Sequence, residues 1–444
     1  MKSKPSQALF FIVALLLTIT ALVYSIQRDR VYEKDYTGDL RNRVVGARLI
    51  ADGKSPYFYK WKISDSTRYY DPNAFGDSRV SNITATPFFH QLLILIAGLS
   101  QATISECWLW AEYLMLLAIV LLMVSFGETG PQKTLVVLAA SVFLFSDAWK
   151  SHVFAGQMYL VIAFFASLFM YLFKRAEGNL SYLACGMVAA ALVFTRPNFI
   201  VFFLPLFLLR PFLKTKSVMM LLLPGIAGLL LIVTNPFQRQ LWKDFFSAVS
   251  VHTKIHQGEK VETIPYDPDP GYRQWEGIDM KTASTIKPGM SLYPRSENGN
   301  FFVLVKLFLH KKTGSAASMA IALLLVFSLL FVFYKTARSK LSGGVDLNAL
   351  FCLGFCLYMI TDLFSPVYRR QYYTVQWIPA VLLLLATFKW NKNFLLIVFL
   401  WAGLALNVFQ VPFVKMEHTI GEYLILAVLI VYSFVYFNRK SVEA

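Results

Sequence analysis

Long apolar runs with almost no charge fill most of this chain, and two polar segments, 27–106 and 235–312, interrupt them. Of the 444 residues, 57% are apolar and only 15% are charged, whereas about a quarter of the residues in a soluble domain are charged. A run of about 20 apolar residues is long enough to cross a bilayer as a helix. The pattern therefore predicts an all-α polytopic membrane protein whose polar and functional residues are concentrated in two segments.

Twelve runs have the composition of membrane-spanning helices. They centre on 8–25, 107–126, 134–149, 157–173, 181–195, 198–211, 217–234, 316–334, 346–364, 372–388, 393–410 and 420–437. Phe88–Ile104 is a further candidate. If it lies along the outer surface, the basic clusters at 174–175, 210–216, 335–340, 389–392 and 439–440 all face the cytoplasm, as the positive-inside rule favours. We therefore predict one membrane domain, 1–444, with twelve spans and both termini cytoplasmic. The two polar segments are then extracytoplasmic loops that contain interfacial helices.

The net charge of +16 does not indicate a nucleic-acid partner. The Lys and Arg residues are scattered over loop ends, which is typical of the flanks of membrane helices. The first run follows Lys2 and Lys4 and is either a signal peptide or an uncleaved first helix; its length and the many later runs favour the helix. No metal site, disulfide framework or glycine-rich phosphate loop is evident, so we expect no cofactor.

Four motifs lie in segments that this topology places outside the membrane. They are Asp39 to Gly53-Lys-Ser-Pro-Tyr57, Gly156-Gln157, Thr195-Arg196-Pro197 and Ser365-Pro366 followed by Gln371-Tyr372-Tyr373. The residues in these motifs and the order of the motifs along the chain resemble those of the polyprenol-phosphate-mannose-dependent mannosyltransferases, glycosyltransferase family 87. The corresponding family motifs are Asp-Phe-x-x-Tyr with Gly-x-x-Pro-Tyr, Gly-Gln-x-Asn, Lys/Arg-x-Pro and Ser-Pro-x-x-Trp-x-His-His-Tyr.

The resemblance implies the GT-C fold and a catalytic role for Asp39, which matches the family's catalytic aspartate. Two of its motifs depart from the family pattern. Tyr159 stands where the family usually has Asn, while Arg369, Gln371 and Tyr372 replace the usual Trp and two His. A donor sugar other than mannose therefore stays open.

Asp39 suits a role at the bilayer surface on physical grounds as well. Gly38 precedes it and an expected helix follows it, so the carboxylate lies near a helix N-terminus, where a simple helix cap is the alternative role. Asp35 and Asp52 are competing carboxylates, and a solvated loop position explains both of them. A glycosyl transfer from a lipid phosphate needs such a group to receive the proton of the acceptor hydroxyl.

Three arginines on the outer side are candidates for binding the donor phosphate. Arg196 lies between two spans, where plain anchoring at the interface is the alternative. Arg369 and Arg370 are adjacent at the mouth of two spans and suggest an anionic partner, either the donor phosphate or a lipid headgroup. Asp362, near the outer end of its span, is an ionisable residue within the membrane, and pairing with Arg369 or Arg370 is its structural alternative.

The remaining candidates for substrate binding are Gln157, Gln371 and Tyr57. A buried amide that bridges helices is the alternative for Gln157, and an ordinary interfacial tyrosine is the alternative for Tyr57. The histidines at 152, 252 and 256 show no carboxylate partner at ligand spacing.

These observations predict an inverting glycosyltransferase of the plasma or inner membrane with an extracytoplasmic active site. It would move a sugar, mannose by the resemblance, from a polyprenyl-phosphate donor to a glycan or glycolipid acceptor. One alternative is a transporter or flippase of lipid-linked saccharides, which would carry polar residues through the middle of several spans. Others are a membrane scaffold that binds through 235–312 and a GT-C enzyme with another sugar carrier.

Overall fold

The structure is a computed structural model that describes residues 5–35, 38–61, 64–70, 79–80, 84–208, 215–256, 300–309, 311, 313–338, 346–365, 369–409 and 417–439. The described chain is almost entirely helical, which confirms the all-α prediction. Its α-helices are α1 (Pro5–Asp35), α2 (Gly38–Ala51), α3 (Pro87–Leu93), α4 (Gln101–Val124), α5 (Gly130–Phe143), α6 (Asp147–Ala155), α7 (Tyr159–Lys174), α8 (Asn179–Thr195), α9 (Ile200–Leu208), α10 (Thr215–Thr234), α11 (Pro236–His256), α12 (Phe301–Leu309), α13 (Ser315–Arg338), α14 (Leu347–Leu363), α15 (Ile378–Thr387), α16 (Trp390–Leu406) and α17 (Glu417–Arg439).

The remaining regular elements are short. They are three 3-10 helices, Thr67–Tyr69, Pro197–Phe199 and Gln371–Trp377, and two antiparallel two-residue strands, β1 (Lys60–Trp61) and β2 (Arg79–Val80). In this hairpin Lys60 lies opposite Val80 and Trp61 lies opposite Arg79.

Five described helices are long and apolar enough to cross a membrane, or six if α5 and α6, bent by 60°, are counted as one broken span. Five shorter apolar helices, from 10 to 17 residues, lie at other predicted spans. These helices indicate an integral membrane protein. The number of twelve spans and the GT-C arrangement stay predictions.

Three predicted spans differ clearly from the observed helices. The run at 372–388 begins as the 3-10 helix Gln371–Trp377 and is α-helical only over Ile378–Thr387. Helix α1 does not end near residue 25 but continues to Asp35. The run predicted as one span at 134–149 breaks after Phe143, because Ser146 starts a new helix by accepting the Trp149 N–H at 3.1 Å. Arg28 donates to the Leu144 carbonyl at 3.2 Å and so satisfies a helix-end group that the break leaves unpaired.

Phe88–Ile104 does not form a spanning helix. Helix α3 has only seven residues, and a series of turns leads from Ile94 to Leu99 before Ser100 caps α4. In 235–312, α11 opens the segment and the expected short helix near its end is confirmed as α12, Phe301–Leu309. Residues 257–299, between these two helices, lie outside the described part of the chain.

The centre of the bundle is formed by α14 and α15. Nearly every residue of both helices is buried, and most of these residues are leucine, alanine, cysteine or aromatic. This is expected for helices that are apolar on all sides. Gly354 lets α14 approach the backbone of Phe202 on α9, because a Cβ at this position would collide with the Phe202 carbonyl. This packing fixes Asp362, at the end of α14, within the bundle.

Candidate functional site

Asp39 lies in the first turn of α2, which confirms the helix expected after it. The opposite face of α2 is fully buried through Leu40, Val44 and Ala47. His90 on α3 also holds this helix, because its Nδ1 lies 3.0 Å from the Arg43 carbonyl oxygen. The Asp39 side chain is 49% exposed. A rigid helix therefore presents a carboxylate that an outside molecule can reach.

Gln157 reaches Asp39 from a turn 118 residues further along the chain. Helix α6 ends at Gly156 in a left-handed conformation, φ 63°, with the Gln157 N–H bound to the His152 carbonyl at 3.1 Å. This is a Schellman ending, which favours glycine because a Cβ is strained at positive φ. The turn directs the Gln157 side chain at Asp39, and Gln157 Nε2 donates to Asp39 Oδ2.

Arg43, one helical turn after Asp39, completes this arrangement. Its guanidinium donates to Gln157 Oε1 at 2.6 Å and to the Gly156 carbonyl at 2.9 Å, and it lies 4.0 Å from Asp39 Oδ2. We call Asp39, Arg43 and Gln157 the carboxylate triad. Sequence reasoning missed Arg43, although its i, i+4 spacing from a candidate carboxylate was a usable signal.

Three tyrosines lie beside the triad. Tyr159, Tyr372 and Tyr373 form a cluster with ring centroids 4.4–5.6 Å apart. Tyr372 lies within electrostatic reach of Asp39 and Arg43. Tyr159 and Tyr372, which are 213 positions apart in the sequence, thus meet in space with their rings stacked. Gln371, next along the chain, donates to Ser151 Oγ at 2.7 Å and joins this segment to α6.

Arg196 closes the other side of the tyrosine cluster. Its guanidinium carbon lies 5.6 Å from the Tyr159 ring centroid and 5.3 Å from that of Tyr373, in cation–π geometry. Its Nη2 lies 3.4 Å from Asp362 Oδ1, its Nε has no hydrogen-bond partner among the described residues, and its side chain is 23% exposed. Arg196 is therefore a partly exposed cation, and its unpaired Nε is buried.

The structure separates the two adjacent arginines. Arg369 is only 1% exposed and donates to Asp362 at 2.8 Å and to Glu422 on α17 at 2.6 Å. Thr374 also donates to Glu422. The structural alternative for Asp362 is thus the one observed, and two carboxylates already neutralise Arg369. Arg370 is exposed and lies within electrostatic reach of Tyr372, so of these two arginines it is the one that faces the site.

Tyr57 is buried and does not face the triad. Its hydroxyl donates to the Ala85 carbonyl at 2.7 Å, and its ring packs on His90 and Phe245. Burial and the nearby Asp244 raise the pKa of Tyr57. It supports α3 and α11 and offers no open face to a sugar. Burial likewise lowers the pKa of His90 to about 4, so this imidazole is neutral near pH 7.

One further ionisable pair escaped sequence reasoning. His152, on α6, has its Nδ1 3.2 Å from Glu112 Oε1 of α4, and neither side chain is more than 1% exposed. A carboxylate partner was not expected, because the two residues are 40 positions apart. The usable signal was Glu112 itself, an ionisable residue within an apolar run.

The described residues contain no group of three or more His, Cys, Asp or Glu side chains that could hold a metal ion. What they bring together is a half-exposed carboxylate, a cluster of tyrosine rings and a partly exposed arginine. Such a set can accept a proton and stabilise an anion. No family model matches the chain, and no curated protein or solved structure matches it at a significant level.

Proposed function

We propose that the protein is an integral membrane glycosyltransferase. It moves a sugar from a polyprenyl-phosphate donor to a glycan or glycolipid acceptor on the extracytoplasmic side. The proposal includes the finer topology: twelve spans in a GT-C arrangement, both termini in the cytoplasm, and the carboxylate triad outside. Mannose is the sugar that the motif resemblance favours.

The observation that carries the proposal is the contact between Gln157 and Asp39. These residues belong to two motifs that were singled out separately, and nothing in their sequence spacing requires them to meet. Arg196, from a third motif, lies across the tyrosine cluster from them. Three motifs therefore converge, and each supplies a side chain of the type that glycosyl transfer uses.

In the proposed reaction, the acceptor hydroxyl attacks the anomeric carbon of the donor. The new bond joins the acceptor oxygen to that carbon, while the bond from carbon to phosphate oxygen breaks and its electron pair leaves with the polyprenyl phosphate. Asp39 receives the hydroxyl proton. Arg43 and Gln157 hold the carboxylate in place, and Arg196 and Arg370 stabilise the departing phosphate. A single displacement of this kind inverts the anomeric configuration.

The test is Asp39→Asn, assayed for sugar transfer from polyprenyl-phosphate-mannose in membranes with matched amounts of protein. Asparagine keeps a carbonyl oxygen for Gln157 but cannot take a proton, so we expect a loss of at least about 100-fold. Asp52→Asn is the matched control, because Asp52 is the competing carboxylate and is bound instead to Tyr69 and Arg68. Full activity in Asp39→Asn, or equal losses in both variants, would remove Asp39 from the mechanism.

A further inference from the structure

The buried pair of Glu112 and His152 takes no part in the proposed reaction, yet His152 lies on the helix that leads into the turn with Gln157 of the carboxylate triad. The His152 backbone carbonyl accepts the Gln157 N–H at 3.1 Å, and the His152 ring accepts the Leu160 N–H at Nε2 at 3.2 Å. One residue therefore holds the chain on both sides of the turn that presents Gln157 to Asp39.

The Leu160 N–H fixes which nitrogen of His152 carries the proton. A ring nitrogen that accepts a hydrogen bond must have its lone pair free, so Nε2 is unprotonated and a neutral ring carries its proton on Nδ1. That nitrogen lies 3.2 Å from Glu112 Oε1, which is ion-pair distance, but the angle between them is not that of a hydrogen bond. Trp108 Nε1 donates to the same carboxylate oxygen at 2.9 Å and holds it in place. The nearby negative charge favours a proton on Nδ1, which is the tautomer that the Leu160 N–H requires.

The Leu160 N–H belongs to the first turn of α7, where backbone N–H groups have no partner within the helix. A side chain that accepts such a group sets where the helix begins. His152 does this from the preceding helix and so fixes the distance between the end of α6 and the start of α7. The intervening turn is short, Gly156–Met158, and its geometry decides where the Gln157 amide lies.

We propose that His152, oriented by Glu112, is a positioning residue that holds Gln157 against Asp39. The role rests on the proposed function, because it acts on the carboxylate that takes the acceptor proton. His152 touches neither substrate nor the reacting atoms. Its effect passes through the backbone of the Gly156 turn to the Gln157 side chain.

Two polar substitutions of His152 separate this role from simple packing. In His152→Gln, the side-chain oxygen can take the place of Nε2 and accept the Leu160 N–H. In His152→Asn, the shorter side chain can reach only toward Glu112, so the Leu160 N–H loses its acceptor. We expect His152→Gln to keep most of the transfer rate and His152→Asn to lose roughly tenfold or more in kcat, with little change in donor KM. His252→Asn, on α11, is the matched control.

A double-mutant cycle with Gln157→Ala tests whether His152 acts through Gln157. If it does, His152→Asn costs almost nothing further once the amide is gone. Glu112→Gln, which keeps a carbonyl oxygen beside Nδ1, should keep more activity than Glu112→Leu. Additive losses in the cycle, or equal losses in His152→Gln and His152→Asn, would overturn the proposal.

Amide hydrogen exchange gives a readout that does not depend on sugar transfer. The Gln157 and Leu160 amides should exchange faster in His152→Asn than in the wild type, and near the wild-type rate in His152→Gln. If the wild type transfers no sugar but shows this pattern, the positioning of Gln157 stands and the proposed function fails. Unchanged exchange in His152→Asn would refute the positioning role even in an active enzyme.

Discussion

Replacing Arg369 tests whether this residue serves the fold or the substrate. Its guanidinium contacts Asp362 at 2.8 Å and Glu422 at 2.6 Å, and none of the three side chains is more than 2% exposed. In Arg369→Gln, both buried carboxylates lose their main cation, and Arg196 stays with Asp362 at 3.4 Å. Breaking one buried ion pair costs about 3–5 kcal/mol. We therefore expect the free energy of unfolding to fall by at least about 3 kcal/mol, roughly a hundredfold in the folded-to-unfolded ratio.

The neighbouring Arg370 is the matched control. Because it is exposed, Arg370→Gln should change the free energy of unfolding by less than about 0.5 kcal/mol. Unfolding in detergent can be followed by the reactivity of Cys352 and Cys356, which are buried on α14, the helix that carries Asp362. If Arg369→Gln unfolds like the wild type, or if both variants lose the same stability, the structural role of Arg369 is wrong.

Three further changes address the remaining candidates. Arg196→Gln should raise the donor KM by about tenfold and leave the acceptor KM nearly unchanged, because a lost charge-assisted hydrogen bond costs about 1.5–3 kcal/mol. Steady-state kinetics measure both constants. The control is Arg175→Gln, because Arg175 also lies over a tyrosine ring. Tyr57→Phe should lower the free energy of unfolding by about 1 kcal/mol without changing sugar transfer, since its hydroxyl binds only the Ala85 carbonyl among the described residues; a lost transfer rate at full stability would contradict this. His90 has a lower pKa in the folded chain than the usual 6.5, so the unfolded chain binds the proton more readily and acidification favours unfolding. The free energy of unfolding, measured against pH, should therefore fall by roughly 3 kcal/mol between about pH 6.5 and 4. His90→Gln should abolish this dependence.

Much of the fold follows from apolar runs, but helix ends do not. The helical class and the short helix α12 were predictable from length and composition, whereas the run Phe88–Ile104 is helical only as far as Leu93 before α4 begins. The break between α5 and α6 was not, because it depends on Ser146 and on an arginine from α1 that satisfies the Leu144 carbonyl. Such long-range backbone contacts leave no periodic signal in the sequence.

The candidate site was likewise predictable from the sequence only in part. The motifs led to Asp39, Gln157 and Arg196, and the structure brings the first two into contact. Sequence treated Arg369 and Arg370 as a pair because they are adjacent, but burial decides their roles. Adjacent residues can face opposite environments, and Glu422, which neutralises Arg369, is 53 positions away. Contacts between residues so far apart in the sequence can be recognised only in the three-dimensional structure.

The buried acids bear on the choice between the proposed enzyme and a transporter. Asp29 accepts from Tyr113 and Trp149 at 2.7 and 2.8 Å, and Asp362 and Glu422 share the Arg369 guanidinium, so each is bound by fixed groups on neighbouring elements. A polar path for a solute needs groups that exchange partners as it passes, and opening a buried ion pair costs several kcal/mol. Asp39, by contrast, is held on one side and exposed on the other. The buried charge therefore holds the bundle together, while the carboxylate that the proposed reaction would use is half exposed.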